Sequence, residues 1–463
     1  MVKGFALFCF LLFPFLLFAG QDTVIVRSGH IDPQGIFKLV YVPVELPAGV
    51  KEIRVRESYT YGNVLNMGIY GPEGYKPGNT AGFRGWSGGA KNEFYISGSS
   101  ASTGYIPGKI KAGTWNILIY PSNVITKGLD WKLEITLSFG KTDSLFQVSP
   151  AKTVISHLPG WYRGDLHMHT LHSDGKRTQQ ELVNEALEKK LDYIISTEHN
   201  TNSANQSWGK YDNNKLLIIN GEEVTTTAYG HWNAIGINTG TYIDWRYAPD
   251  DHQVEKYIDL VHRDGGLAII NHPFYANLFL FDATPFDGIE IWNGSWDKDD
   301  ERALHWWDEF LQHGKKKIAI GASDTHKNNP YDNNLGQPQT VVYAGALSRN
   351  GILSGLKKGN VYIAVSNNIN LSFTASCNGK KSKTGEVLNT PAGQTISVSL
   401  AASFIPDAEL TLHSDQGIIA RENSSEKPVQ WTLKPGTARY IRVEIRAKNG
   451  TMLALTNPIW LNN

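Results

Sequence analysis

The sequence of 463 residues is poor in cysteine, balanced in charge and, beyond its first twenty residues, free of apolar runs long enough to span a membrane. Its two cysteines, Cys9 and Cys377, exclude a metal site built only of thiolates. Its 44 basic residues equal its 44 acidic ones, so no basic field indicates nucleic acid or a membrane surface as a partner. The one G-x-S-x-G segment, Gly85–Gly89, lies in the region expected to be all-β rather than at a strand-to-helix turn, so no Ser-His-Asp nucleophile elbow is predicted.

The first twenty residues have the pattern of a secretory signal peptide. Lys3 precedes an almost unbroken apolar stretch, Phe5–Phe18, and small residues follow at Ala19 and Gly20. Because the stretch is short for a spanning helix, we expect cleavage, no stable membrane span afterwards, and a secreted or periplasmic protein of a bacterial envelope. An uncleaved anchor is the alternative. The mature chain would keep only Cys377 and so could form no internal disulfide.

The sequence predicts three domains after a signal peptide at residues 1–20. Residues 21–155 are expected to form a β-sandwich, because apolar and polar residues alternate, for example over residues 131–139. The same alternation at residues 441–445 predicts a second β-sandwich at residues 369–463. Between them, residues 156–368 alternate strand-sized apolar runs with helical patterns, one of which begins with a capping box at Thr178 and Glu181. Repeated βα units predict a parallel sheet, open or closed into a barrel.

Histidine is concentrated in this middle region, where twelve of the fourteen histidines lie between His157 and His326. Most of them lie in short polar clusters that also carry carboxylates, and the clusters follow apolar runs. The clusters span residues 167–174, 197–200, 221–231, 271–273 and 323–326. Imidazole and carboxylate are ligands of borderline and hard divalent metals. Because active sites of βα barrels form at the carboxyl ends of the strands, the clusters predict one multinuclear metal site.

The ordered motifs HxHTxxSDG, TEHN, GEEVT with GHWN, a histidine before proline, and SDTH resemble those of the PHP (polymerase and histidinol phosphatase) superfamily. They look most like its branch of metallohydrolases that includes the carbaryl hydrolases. The resemblance covers roughly residues 160 to 365. It implies a central distorted, seven-stranded α/β (TIM-like) barrel with a trinuclear metal centre at the strand carboxyl ends. The flanking β-sandwiches lie outside the resemblance.

The resemblance also implies which residues bind metal in this chain. The first ion would take His167, His169, Glu223 and Asp324; the second, bridged by Glu223, would take His231 and His272; the third would take Asp174, His199 and His326. Glu223 is preferred to Glu222 because the family's glutamate precedes an apolar residue and then serine or threonine. Some relatives have histidine at the position of Asp174, so we expect two or three divalent ions, which could be manganese, zinc or iron.

Residues near the motifs have further predicted roles. Glu223, Asp324 and His326 are expected to act in catalysis as well as in metal binding, and Arg177 is a candidate contact for an anionic substrate. Asp165 is expected to orient a ligand histidine. His172 is expected to be a solvated or substrate-side residue rather than a ligand.

These residues predict an exported metal-dependent hydrolase in which a metal-bridged hydroxide attacks a small-molecule ester. Phosphoesters are the first substrate class, because relatives most often act on them and three metals suit a phosphoryl group. A carbamate or carboxylic ester is the alternative within the same site. A non-catalytic envelope protein that binds carbohydrate or another partner through its β domains is the alternative outside enzymes.

Overall fold

A computed structural model of the chain describes residues 22–141, 144–275, 278–327, 333–391, 393–405, 407–425, 427–434, 436 and 438–462. The predicted signal peptide and Cys9 lie outside these residues. The described chain is a multidomain structure made mostly of β-sheet, with four α-helices among 29 strands. No helix within the described ranges is both long and apolar enough to cross a membrane.

Eight strands at the N-terminal end form two antiparallel sheets of four strands each, ordered β1-β8-β3-β6 and β2-β7-β4-β5. Their inward-facing apolar residues form one shared core. In β8 the side chains alternate between buried and more exposed, as the sequence pattern predicts. The strands are β1 (Thr23–Ile31), β2 (Val40–Leu46), β3 (Val50–Tyr59), β4 (Val64–Tyr70), β5 (Phe83–Gly88), β6 (Glu93–Ser97), β7 (Gly113–Asn123) and β8 (Leu129–Phe139).

The middle of the chain contains all four α-helices and the strands that carry the histidine motifs. The capping box predicted at the start of α1 is present, since Thr178 and Glu181 bond each other's backbone N–H groups. The elements are β9 (Val154–Ser156), β10 (Gly160–Asp165), α1 (Gln179–Glu188), β11 (Tyr193–Ser196), β12 (Leu217–Thr226), β13 (Gly230–Ile235), α2 (Val254–Arg263), β14 (Leu267–Ile270), β15 (Gly288–Asn293), α3 (Lys298–Gln312), β16 (Ile318–Ala322), β17 (Gln339–Ala344), β18 (Leu347–Ser348), α4 (Arg349–Lys357) and β19 (Val361–Ala364).

Seven of these strands follow one another across a sheet in the order β10-β11-β12-β13-β14-β15-β16. The segments that follow β10 and β16 pair with each other, because the His169 N–H donates to the Thr325 carbonyl at 3.1 Å and the Asp324 N–H to the His167 carbonyl at 2.8 Å. The two outer strands of the series therefore meet at their carboxyl ends, where most of the histidine motifs lie.

The expectation of a fully parallel sheet with repeated βα units is wrong at β13. This strand runs antiparallel to both β12 and β14, whereas the β10–β11, β11–β12, β14–β15 and β15–β16 pairs are parallel. Only residues 227–229 connect β12 to β13. So short a connection can form a hairpin but not the crossover that a parallel neighbour needs. Within the described residues the regular strand–helix alternation of a TIM barrel is absent.

The C-terminal strands continue the central sheet, because β19 pairs with β28. A second sheet, ordered β21-β20-β23-β26, shares an apolar core with this continuation. The strands are β20 (Leu371–Cys377), β21 (Lys380–Lys383), β22 (Val387–Asn389), β23 (Ile396–Ala402), β24 (Ala408–Ser414), β25 (Gly417–Asn423), β26 (Val429–Leu433), β27 (Tyr440–Ala447), β28 (Met452–Thr456) and β29 (Ile459–Asn462).

Candidate metal centre

Four side chains from three segments converge at the carboxyl ends of β10, β12 and β16. The Nε2 atom of His167 lies 3.3 Å from Oε2 of Glu223 and 3.3 Å from Oδ1 of Asp324. The Nε2 atom of His169 lies 3.4 Å and 3.1 Å from the same two oxygens. Ligands about 2.0–2.1 Å from a tetrahedral cation stand about 3.3 Å apart. His167, His169 and Asp324 form one group of mutually close ligand atoms and His167, Glu223 and His272 form another, so each group has the spacing of ligands around a divalent cation.

Glu223 connects this group to three more histidines. Its Oε1 lies 2.9 Å from Nδ1 of His231 and 3.6 Å from Nε2 of His272, while its Oε2 lies 2.7 Å from Nδ1 of His199. The Glu223 side chain is fully buried, so its charge is stabilised only by its neighbours. This position suits a carboxylate that bridges two cations.

A third group lies beside the first, on the more open side of the centre. Oδ1 of Asp174 lies 3.2 Å from Nε2 of His326 and 3.5 Å from Nε2 of His199, and the two imidazole nitrogens are themselves 3.5 Å apart. His169 also belongs to this group of close ligand atoms. The Asp174 side chain is 43% exposed, so this group is reachable from solvent.

Three close groups of potential ligand atoms thus contain eight of the nine residues that the resemblance implied as ligands. His231 lies outside these groups but contacts Glu223. Glu222, the neighbouring carboxylate, faces the other side of β12 and accepts a hydrogen bond from the Ile243 N–H at 3.1 Å. Burial and nearby Asp244 raise the pKa of Glu222 well above its usual range.

The two central carboxylates keep their charge although they are buried. Burial alone would raise the pKa of Glu223, but His199, His167 and His231 hold it well below the ordinary value. The pKa of Asp324 is likewise held well below its usual range, against burial, by His167 and His169. Among the described residues, the ion pairs of these two carboxylates are with histidines and none is with a lysine or arginine.

Several ligand atoms in the centre are buried without a hydrogen bond from the described residues. They are Nε2 of His167, Nε2 of His231, Oε2 of Glu223 and Oδ1 of Asp174. A buried polar atom left without a partner costs about 1–3 kcal/mol, so such atoms are rare in stable proteins. Divalent cations bound at the close groups, which contain His167, Glu223 and Asp174 but not His231, would give partners to three of these atoms. The residues present therefore fit the expected metal ions.

The backbone is strained at three positions around the centre. Asn200, His272 and Asp324 have φ angles of 54°, 23° and 50°, in the left-handed region that non-glycine residues rarely adopt. Strain of this kind costs about 1–3 kcal/mol per residue and clusters at functional sites. At His272 and Asp324 the strained backbone turns the segments that follow β14 and β16 toward the other ligands.

Glu290, which was not predicted from the sequence, contacts two of the proposed ligand histidines. Its carboxylate lies 3.2 Å from Nδ1 of His167 and accepts the backbone N–H of His272 at 3.0 Å. A ligand histidine is typically oriented by an acceptor on its second nitrogen. Glu290 interrupts the otherwise apolar run of β15, and this interruption was the only sequence signal available.

The expected role of Asp165 is wrong, because it contacts no imidazole ring. It accepts the backbone N–H groups of His167, Ser323 and Gly336 at 3.3, 3.1 and 2.7 Å. Asp165 therefore joins three backbone segments beneath the centre.

Arg177 and His172 have structural partners. Arg177 is buried, donates two hydrogen bonds to the Glu185 carboxylate at 2.7 and 3.0 Å, and a third to Oγ1 of Thr325. These contacts do not support its predicted role as a substrate contact. Nδ1 of His172 lies 2.9 Å from Oγ of Ser203, and His172 is partly exposed rather than fully solvated. Burial and Lys91 lower the pKa of His172 to about 3.

Two cavities flank the centre, and no lining residue is common to both. One, of about 330 Å³, contacts His272, Asp324 and His326 and is bordered by carboxylates of the α3 start. The other, of about 390 Å³, contacts Asp174, His199 and His231 and is bordered by residues of β4 and β5. The centre is thus accessible from two sides.

Comparisons with known proteins find several similar solved structures, two of which are described below, while no protein-family model and no curated protein matches the chain. One is a two-domain protein from Bacteroides vulgatus that contains a predicted PHP-like metal-dependent phosphoesterase. It is 18% identical with a TM-score of 0.37, over 68% of this chain and 98% of that chain. The other is an amidohydrolase from Chromobacterium violaceum with bound sulfate and no metal. It is 17% identical with a TM-score of 0.27, over 37% of this chain and 89% of that chain.

Proposed function

We propose that this protein is an exported, metal-dependent hydrolase of small-molecule phosphoesters. The observation that carries the proposal is the convergence of His167, His169, Glu223 and Asp324, in which each imidazole Nε2 lies 3.1–3.4 Å from one oxygen of each carboxylate. In the proposal, the seven strands β10–β16 act as a distorted barrel that presents this group at its mouth.

Two or three divalent cations would be held by the nine residues predicted from the sequence. When bound, such ions supply Lewis acidity and lower the pKa of water. The protein's own contribution is to fix the ligands: Glu290 orients His167, and the short connection after β10 brings Asp174 to His326. Glu223, Asp324 and His326 would touch the reacting atoms from three sides of the centre.

The first test measures metal content and turnover together. Protein purified without added metal should contain at least two equivalents of manganese, zinc or iron by elemental analysis. It should hydrolyse p-nitrophenyl phosphate or bis-p-nitrophenyl phosphate, and it should be inactive after chelation. Turnover of a naphthyl carbamate alone would replace the phosphoester with the carbamate alternative. Fewer than two equivalents of metal would contradict a multinuclear centre.

The second test removes two ligands from different segments. His167→Ala combined with Asp324→Ala should abolish hydrolysis while the protein remains folded by circular dichroism. The matched control combines His157→Ala with Asp250→Ala, which removes the same residue types from exposed positions outside the centre. Unchanged turnover in the first double variant would contradict the assignment of the site.

Export is tested on the mature protein. The proposal rests on residues 1–20, and the expected result is a periplasmic or secreted protein whose mass lacks that segment. A membrane-bound protein of full mass would instead indicate an uncleaved anchor.

A further inference from the structure

The cavity beside Asp174 is walled on one side by the N-terminal sheets. Its residues from β4, β5 and the turn that follows are Val64, Asn66, Trp86, Ser87, Gly88, Gly89 and Ala90. The opposite wall consists of residues near the metal centre, among them Asp174, His199 and His231. A group bound here would touch both the N-terminal sheets and the proposed metal ligands.

The two walls of this cavity are held together by close contacts between the N-terminal sheets and the middle region. Nζ of Lys91 donates to the carbonyls of Leu171 and Ser173 at 2.9 and 3.1 Å, on either side of His172 and just before Asp174. The ring of Phe83 stacks on Tyr242 with centroids 3.6 Å apart. These contacts therefore fix the distance between the two walls of the cavity.

The lining of the cavity is neutral apart from the proposed metal ligands. No lysine or arginine lines it among the described residues, and its other polar side chains are amides and hydroxyls. Several of these are already paired, since Asn200 bonds Thr225 and Ser87 bonds Tyr105. Asn66 donates to the Tyr120 carbonyl and to Ser122, which leaves its Oδ1 free of hydrogen bonds from the described residues.

We propose that this cavity, which we call the N-terminal subsite, binds a neutral, hydroxyl-bearing part of the substrate while the phosphoryl group lies at the metal centre. Oδ1 of Asn66 would accept a hydrogen bond from a hydroxyl group, and Val64, which is 38% exposed, would contact the apolar face of a sugar-like ring. On the wall formed by β4, β5 and the following turn, a second anionic group would find no lysine or arginine, so the N-terminal subsite favours a neutral arm over a charged one. This inference rests on the proposed function for the position of the phosphoryl group.

The experiment measures binding rather than turnover, with probes that no phosphatase or esterase can cleave. Isothermal titration calorimetry compares methylphosphonate with a C-glucosyl methylphosphonate on the metal-loaded protein. The two share the anionic head and differ only in the neutral sugar arm. We expect the sugar arm to increase affinity at least about tenfold, which corresponds to about 1.4 kcal/mol. A third probe, 3-phosphonopropionate, replaces the sugar with a carboxylate and should gain nothing.

Two variants fill the N-terminal subsite from different positions. Ala90→Trp lies on the exposed turn after β5, and Val64→Trp lies on β4, where the side chain is 38% exposed. Each should reduce the advantage of the sugar arm to about twofold or less. The matched control, Ala81→Trp, adds the same side chain to an exposed turn outside the cavity and should keep the wild-type advantage.

The outcomes separate this inference from the proposed function. No advantage for the sugar arm, or an advantage that survives both filling variants, would overturn the inference even if phosphoesters are hydrolysed. An advantage that is lost in both variants supports it even if the hydrolysed bond is a carbamate, in which case only the proposed substrate class fails.

Discussion

Two buried clusters of ionisable side chains occupy different regions of this protein, and they balance charge in opposite ways. The first is the metal centre. The second, which we call the arginine cluster, joins α3 to the C-terminal sheet and consists of Glu301, Asp308, Arg442, Glu444 and Arg446. There Arg442 lies 2.9 Å from Asp308 and 2.7 Å from Glu444, and Arg446 lies 2.9 Å from Glu444. Every carboxylate in the arginine cluster has a permanent cation beside it.

The metal centre has no such permanent cation. Its carboxylates contact imidazoles and the Asn293 amide, and four of its buried ligand atoms have no hydrogen bond within the described residues. In the arginine cluster, burial raises the pKa of Glu444 but the arginines outweigh it and hold that pKa at about 2. A paired cluster of this kind stabilises structure, whereas an unpaired one needs an added cation. The difference separates a structural charge network from a functional site.

The largest effect, on metal affinity, is expected at Glu223, the buried carboxylate that lies among the histidines of the metal centre. Glu223→Gln keeps the shape but removes the charge that faces His199, His231 and His272. Even residues that only support metal ligands cost about 10–100-fold in affinity when changed, so we expect a loss beyond 100-fold, with loss of hydrolysis. Metal affinity is measured by competition with a fluorescent chelator.

Glu222→Gln is the matched control for that change. Burial and Asp244 raise the pKa of Glu222 and so favour its neutral form, to which glutamine is close in shape and charge. Metal affinity and hydrolysis should stay close to wild type. An equal loss of metal in both variants would remove the distinction between the two faces of β12.

The arginine cluster should show the opposite profile. Arg442→Met leaves the buried carboxylates of Asp308 and Glu444 without their shared cation, which should lower the free energy of unfolding by about 3–5 kcal/mol. Metal content and hydrolysis of the folded protein should not change. Urea unfolding and elemental analysis check the two parts. Arg421→Met, at an exposed pair with Glu409, should cost less than about 1 kcal/mol.

A smaller effect is expected at Glu290, which supports the metal centre without belonging to it. Glu290→Gln weakens the acceptor that fixes Nδ1 of His167 and should reduce metal affinity about 10–100-fold. Asp165→Asn tests the alternative support. It should destabilise the fold, because Asp165 accepts three backbone N–H groups, but leave metal affinity nearly unchanged. The reverse result would restore the role that the sequence predicted for Asp165.

The metal centre was largely predictable from the sequence because its ligands lie in short motifs at strand ends. His167 and His169 lie two residues apart directly after β10, which ends at Asp165, and Asp324 follows a strand that ends at Ala322. Glu290 was not predictable in this way. It is one carboxylate within an apolar strand, and its partner His167 lies 123 residues away. Only the folded arrangement shows which buried polar residue faces which ligand.

The strands themselves were predictable from the sequence, whereas the direction and partners of each strand in the sheets were less so. Alternation identified β8, and the capping box identified the start of α1. The reversed direction of β13 depends on the length of one connection, and the continuation of the sheet from β19 to β28 depends on pairing between distant segments. The position of β5 across a cavity from the metal centre was unpredictable for the same reason, because sequence patterns do not show which domain surfaces meet.

The smallest predicted effect is on how stability depends on pH. It tests the balance of charge in the arginine cluster, which we compared with that of the metal centre. His413 lies 3.4 Å from Glu444, and burial together with Arg442 lowers its pKa to about 4. An unfolded histidine has a pKa of about 6.5, so between pH 6.5 and 4 the unfolded chain takes up a proton that the folded protein does not. The contribution of His413 to stability is therefore fully present above pH 6.5 and is lost as the pH falls through this window.

Between pH 7 and 4.5, the His413→Gln variant should lose roughly 2 kcal/mol less free energy of unfolding than the original protein. Urea unfolding of chelator-treated samples measures this, because protons taken up by the emptied metal centre then contribute equally to both proteins. Equal losses would mean that the arginine cluster tolerates a charged His413, and that its balance of charge is less strict than its contacts indicate.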